Sequence, residues 1–203
     1  FEFFNKNNQI ELSQKKSNID KEQALKNISK RMDFFMPENI NQSEFGLDKN
    51  ISKTDPPVFL IGFPRSGTTL LDTILRSHQS IEVIEEKPLI SNLISSLEKL
   101  TKNDLKNLKF IKEDQIQILQ NEYFKNISKY LSKSKSSKII IDKMPLNIIY
   151  VGEIIKIFPN AKFILALRHP YDSVLSCFMQ NFELNNSMAN FLDIESAAKF
   201  YDN

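Results

Sequence analysis

An α/β fold with a central parallel sheet is predicted from residue 57 onward, and three observations predict it. Short β-branched and aromatic runs alternate with longer amphipathic segments, the pattern of strand-helix-strand units. The strand-like runs are almost wholly apolar, as strands covered on both faces are. The chain has 203 residues, which suits one substantial core and a short appendage better than two full domains.

Residues 1–56 read as that appendage, a helical and then irregular N-terminal extension. Apolar residues at Ala24, Leu25, Ile28, Met32 and Phe35 keep a helical spacing. Pro37 and the mostly polar run from Glu38 to Pro57, closed by Asp55-Pro56-Pro57, end it. The domain proper is expected over 57–203. Its strands fall at Val58 to Gly62, Ile81 to Ile84, Lys138 to Asp142 and Lys162 to Leu167. Helices are expected at Thr68 to Ser77, Pro88 to Leu100, Glu113 to Ser132 and Leu146 to Phe158, with another beginning at Pro170. Pro159-Asn160 turns the chain out of the fourth helix and into the last strand.

Composition narrows the function. Hydrophobic residues make up 41% and charged residues 26%, as in an ordinary globular protein. A net charge of +2 gives no argument for nucleic acid or a membrane surface, though a local basic pocket for an anion is compatible with it. No apolar run reaches the roughly 20 residues that span a bilayer. The single cysteine, Cys177, supplies neither a disulfide framework nor a Cys cluster for zinc, so a reducing, cytoplasmic setting is the simpler expectation. The chain opens on Phe1, and an N-terminal segment is expected to be missing. Asn-x-Ser triplets at Asn27, Asn41, Asn50, Asn126 and Asn185 are what an Asn- and Ser-rich chain produces by chance.

The segment Gly62-Phe63-Pro64-Arg65-Ser66-Gly67-Thr68-Thr69 carries the chemistry. A buried strand, a turn with two glycines and a helix together point backbone N–H groups and the positive end of a helix dipole at an anion. The spacing matches a nucleotide-triphosphate loop and makes the fold P-loop-like, but the lysine due after the second glycine is Thr68. Without that lysine, phosphoryl transfer from ATP is disfavoured. The cation has moved to Arg65, with the hydroxyls of Ser66, Thr68 and Thr69 around it.

Pro64 through Thr69 resembles the 5′-phosphosulfate loop of sulfotransferases that use 3′-phosphoadenosine-5′-phosphosulfate (PAPS), with the form Pro-Lys/Arg-Ser-Gly-Thr-Thr. It is most similar to the tyrosylprotein sulfotransferases and their bacterial relatives, including those linked to TPR repeats, which carry arginine at the second position. The resemblance spans roughly residues 57–182. A later strand ends at Arg168-His169-Pro170, and Ser176 follows eight residues after Arg168, the separation of the family's arginine and serine that bind the nucleotide 3′-phosphate. Arg168 and Ser176 are the implied pair.

The resemblance also implies a base and a second cation. The family's catalytic glutamate is the second of a Glu-Glu pair and maps to Glu86. Ile84 stands where the family usually has glycine, so Glu85 stays open as the alternative. Lys143 matches a lysine that assists sulfate transfer, in a segment reading Asn-Lys-Asp-Pro there and Asp142-Lys143-Met144-Pro145 here. His78, His169 and Cys177 read as structural.

The expected activity is transfer of a sulfuryl group from PAPS to an acceptor hydroxyl on a peptide tyrosine, a carbohydrate or a small molecule. Glu86 is the base and Arg65 and Lys143 the electrophilic cations. Pro64, Arg65, Ser66, Gly67, Thr68, Thr69, Arg168 and Ser176 hold the nucleotide, and no metal is needed. The rival expectations are an atypical P-loop phosphotransferase or NTPase, and a nucleotide-binding fragment without activity. Sulfotransferases of this kind continue past the position of Asn203, so the chain is expected to be incomplete at both ends.

Overall fold

The structure, a computed structural model, describes residues 2–14, 19–36, 38, 55–132 and 139–202. Most of the stretch expected to be irregular between Glu38 and Pro57 lies outside these residues, as do Lys138, Asn41 and Asn50. Helices α1 (Glu2–Gln14) and α2 (Lys21–Phe35) precede β1 (Val58–Gly62), α3 (Thr68–Arg76), β2 (Ile81–Glu85), α4 (Leu89–Thr101) and α5 (Glu113–Ile127). Then come β3 (Ile139–Lys143), α6 (Val151–Ile157), β4 (Lys162–Ala166), α7 (Pro170–Phe178) and α8 (Ile194–Asp202). Short 3₁₀ turns occupy Leu105–Phe110, Pro145–Tyr150 and Met188–Leu192.

The four strands form one sheet in the order β2-β3-β1-β4, and every pairing is parallel. β1 is central, and Phe59, Leu60 and Ile61 are all buried, which explains why its sequence is apolar at successive positions. β4 is an edge strand, with Leu165 48% exposed. Parallel register brings the C-terminal ends of all four strands to one edge, where the segments after them can meet.

α4 buries Leu89, Ile90, Leu93, Ile94 and Leu97, a helical stripe, against Phe59, Ile61 and the α5 and α6 residues Leu119, Tyr123, Ile154 and Ile157. Each such side chain contributes about 1.5–3 kcal/mol by leaving water. A second cluster joins Ala24 and Ile28 of α2 to Val174 and Cys177 of α7 and to Phe191, Ala197 and Phe200. α2 is therefore packed onto the sheet domain. A Cβ on Gly152 would overlap the Phe35 ring, so α2 and α6 approach closely there.

Two predicted helices are shorter than expected. α5 stops at Ile127, where Ser128 Oγ donates to Lys125 O, and Ser132 instead donates its N–H to Glu82 on β2. The segment Leu146 to Phe158 is divided, because Pro145 opens a 3₁₀ turn before α6 begins at Val151. α1 falls within the N-terminal stretch expected to be helical, while α8 and the turns at Leu105–Phe110 and Met188–Leu192 are not among the expected elements.

Asp142 is wholly buried on β3, where Tyr123 Oη donates to its Oδ2 at 2.6 Å. Burial pushes its carboxyl up from 3.8 to about 7, against the pull of the Tyr123 hydroxyl. Because the folded value lies above the unfolded one, this group's contribution is fully present below pH 3.8 and is lost as pH rises to about 7. Asp142→Asn is expected to raise stability by roughly 1–3 kcal/mol at pH 8, less than the full charge penalty because its oxygen keeps Tyr123 while its new NH2, in place of the unpaired Oδ1, has no acceptor among the described residues. The gain should vanish near pH 4 in urea unfolding. An equal effect at both pH values would contradict a charged Asp142 in the fold.

Candidate active site

After β1 the chain turns sharply. Ser66 N donates to Phe63 O at 3.1 Å, Arg65 adopts φ +66°, and Gly67, at φ +97°, starts α3. Only glycine takes the Gly67 conformation without strain, and nothing lies within 4 Å of where its Cβ would stand. Gly67 offers no side-chain cap, so the first N–H groups of α3 have no side-chain acceptor at that residue. At Gly62 close approach decides: a Cβ would stand 2.7 Å from Ala166 O and 2.8 Å from Ser66 Oγ. Ser66 Oγ is buried without a hydrogen-bond partner among the described residues, and Thr68 is buried beside it. Such a loop, with free N–H groups, a helix N-terminus and an unpaired hydroxyl, suits an oxyanion.

The sequence-derived residues gather into two groups on either side of this loop. On one side, Arg65 Nε donates to Ser176 Oγ at 3.1 Å, and Arg168 Nη1 donates to Arg65 O at 3.1 Å. Arg168 also lies 3.7 Å from Asp172 across one turn of α7. Arg65 thus links the loop to both Arg168 and Ser176, which do not bond each other directly. Cys177 Sγ, fully buried, donates to Pro64 O at 3.3 Å and fastens the loop to α7. Burial pushes its thiol up to about 12, which disfavours the thiolate that a nucleophile needs. A cavity of about 740 Å³ opens on this side, lined by Ser66, Arg168 and Ser173 together with Arg31, Phe35 and Tyr201.

On the other side is Lys143. Its ammonium is 0% exposed and donates to Glu86 Oε1 at 2.6 Å, Glu85 Oε1 at 3.1 Å and Thr69 Oγ1 at 3.4 Å. The register pairs Glu85 directly with Lys143, and Glu86 N donates to Lys143 O at 2.8 Å as the sheet ends. Glu86 takes φ +49°, a left-handed conformation that is uncommon outside glycine and asparagine. Both glutamates stay about half exposed, 45% and 53%, so the buried cation carries two carboxylates that solvent can reach.

Two residues of this cluster were not singled out in the sequence. Asp72 and Arg76, one turn apart on α3, pair through Nε–Oδ1 at 2.7 Å and Nη2–Oδ2 at 2.6 Å, and Arg76 Nη2 reaches Glu85 Oε2 at 3.3 Å. The bond to Asp72 raises the Arg76 guanidinium further above its usual range. Their spacing of four was the available signal. His78 Nδ1 accepts from Ser80 N in the turn after α3, and the His169 ring packs edge-on against Tyr171. No group of three or more residues able to hold a metal ion occurs among the described residues. No helix among them is long and apolar enough to cross a membrane.

The model of a family described as "Sulfotransferase family" matches residues 56–203. An uncharacterized protein of Aquifex aeolicus (strain VF5) is 29% identical over 185 residues, covering 89% of this chain and 24% of that protein. Protein-tyrosine sulfotransferase 2 of Gallus gallus is 27% identical over 129 residues, 62% of this chain and 34% of that protein. Protein-tyrosine sulfotransferase 1 of Homo sapiens is 24% identical over 156 residues, 70% of this chain and 42% of that protein. The chain spans between 24% and 42% of the length of these relatives.

Proposed function

The chain belongs to the sulfotransferase family, and on that premise we propose that it transfers a sulfuryl group from PAPS to an acceptor hydroxyl by in-line displacement. The observation that carries the proposal is the Lys143 ammonium, which contacts a solvent-accessible glutamate at 2.6 Å and the phosphate loop at 3.4 Å. One cation thus stands between a base and an anion cradle.

The loop's open Gly67, its unpaired Ser66 hydroxyl and the adjacent Arg168 fit a donor with two phosphate groups. Pro64 through Thr69 would hold the 5′-phosphosulfate, and Arg168 and Ser176 the 3′-phosphate. The cavity bounded by Ser66 and Arg168 offers room for the nucleoside between them. Glu86 removes the acceptor's proton as its oxygen bonds to sulfur. The bond from sulfur to the 5′-phosphate oxygen breaks, and Lys143 and Arg65 neutralise the charge that appears there. Negative charge develops next to cations already in place, so the transition state gains more than the ground state. The names of the animal relatives favour a peptide tyrosine as acceptor, ahead of a sugar or small-molecule hydroxyl.

Titration with adenosine 3′,5′-bisphosphate tests the reading. Binding without added metal is expected, and Arg168→Ala should weaken it about tenfold or more, the loss of one charge-assisted contact. Unchanged affinity would remove Arg168 from the site. Magnesium-dependent ATP binding in its place would support a phosphotransferase. Binding without transfer of labelled sulfate to tyrosine peptides, sugars or phenols would leave a nucleotide-binding fragment.

A further inference from the structure

Five charged side chains run in alternating sign across α3, β2 and β3: Asp72, Arg76, Glu85, Lys143 and Glu86. An ammonium has three N–H donors, and Lys143 directs them at Glu86, Glu85 and Thr69. Its direction is therefore set by where those three acceptors stand. Glu86 is held by its own backbone N–H on Lys143 O, and Thr69 by the first turn of α3. Glu85 is half exposed, and its side chain depends on partners to stay in place.

Arg76 is that partner. It takes Glu85 Oε2 at 3.3 Å while Lys143 takes Oε1 at 3.1 Å, so both oxygens of Glu85 meet a cation. The Arg76 fork is itself locked by a two-point contact with Asp72, whose side chain is 2% exposed and cannot swing into solvent. Glu86, in contrast, joins the cluster through Oε1 alone among the described residues.

We propose that Arg76, fixed by Asp72, is a positioning residue: by holding Glu85 on Lys143 it keeps the ammonium aimed between Glu86 and the loop, and it leaves Glu86 as the carboxylate that meets the acceptor hydroxyl. The proposal rests on the sulfuryl-transfer reading and resolves its choice between Glu85 and Glu86. Arg76 touches no reacting atom. Its removal acts through Glu85 and Lys143.

Two readouts test it. In a spectrum of ¹⁵N-lysine protein, a buried ammonium held by three acceptors exchanges its protons slowly enough to be seen, and the Lys143 signal is assigned by its absence in Lys143→Met. Arg76→Ala should broaden that signal away, and Arg76→Lys should keep it. In the transfer assay, Arg76→Ala should lower kcat about tenfold with KM for PAPS unchanged, and Arg76→Lys should recover most of the loss. Circular dichroism confirms folding, with Arg76→Gln as the second variant should Arg76→Ala melt. A folded Arg76→Ala, or Arg76→Gln in its place, that keeps the Lys143 signal or wild-type kcat overturns the proposal. A wild-type protein that transfers no sulfate sinks the functional reading instead, and the ammonium signal still decides whether Arg76 sets the lysine.

Discussion

Glu86→Gln is expected to lower sulfuryl transfer by about 10²–10⁴-fold and to leave affinity for adenosine 3′,5′-bisphosphate nearly unchanged. The amide cannot take a proton from the acceptor, but it keeps the shape of the side chain and an oxygen for Lys143 at the present 2.6 Å contact. The backbone at position 86 is unaffected, because its N–H bond to Lys143 O does not involve the side chain. The nucleotide's expected partners Arg168 and Ser176 meet Arg65 and do not touch Glu86. Glu85→Gln should cost far less, since Arg76 and Lys143 occupy both of its oxygens. Equal rates for Glu86→Gln and wild type would move the base elsewhere. A larger loss in Glu85→Gln would exchange the two roles.

Arg31→Ala is expected to destabilise the protein by about 3–5 kcal/mol, the usual cost of leaving half of a buried ion pair behind. Arg31 Nε donates to Glu153 Oε1 at 2.7 Å and Nη2 to Glu98 Oε1 at 3.2 Å, and the guanidinium lies 4.8 Å from the Tyr150 ring centre. The Glu153 side chain is 1% exposed and its Oε2 has no hydrogen-bond partner among the described residues, so loss of the cation leaves a buried carboxylate without its charge partner. Burial already raises the Glu153 carboxyl above its usual range, with Arg31 opposing the shift. Without Arg31 it rises further, and the variant's deficit is largest at high pH and shrinks as acid protonates Glu153. Adding Glu153→Gln to Arg31→Ala should therefore recover part of the loss at pH 8. Urea unfolding reads all three proteins, and a loss under 1 kcal/mol would mean that α2 is held by its apolar face alone.

These two predictions differ in how visible their residues were beforehand. The loop from Gly62 to Thr69 was legible because its chemistry is local: a glycine at φ +97°, a short turn and a helix start all follow from neighbouring residues. Strand β1 was legible to the residue, since burial on both faces leaves an unbroken apolar run. The third strand runs one residue past its expected end, to Lys143, because the pairing of Glu85 with Lys143 sets that end and no local pattern records the pairing. Arg31 sits in a stretch rich in Lys, Asn and Gln, and no local pattern marks it as buried. Its burial depends on Glu153, 122 positions later. The spacing of Asp72 and Arg76 was open to view, but Glu85 joins them only once α3 has folded back on β2.

Glu86 pays in backbone strain for the place it holds. A left-handed residue with a full side chain sacrifices about 1–2 kcal/mol relative to glycine, which would take φ +49° freely. The Glu86 carboxylate also pairs with the buried Lys143 ammonium at 2.6 Å, so glycine at position 86 would relieve the strain and leave that cation one carboxylate fewer. The two effects oppose each other. In a laboratory library sorted only by survival of heat, glycine or asparagine at position 86 is expected to appear together with a change at Lys143, and not by itself.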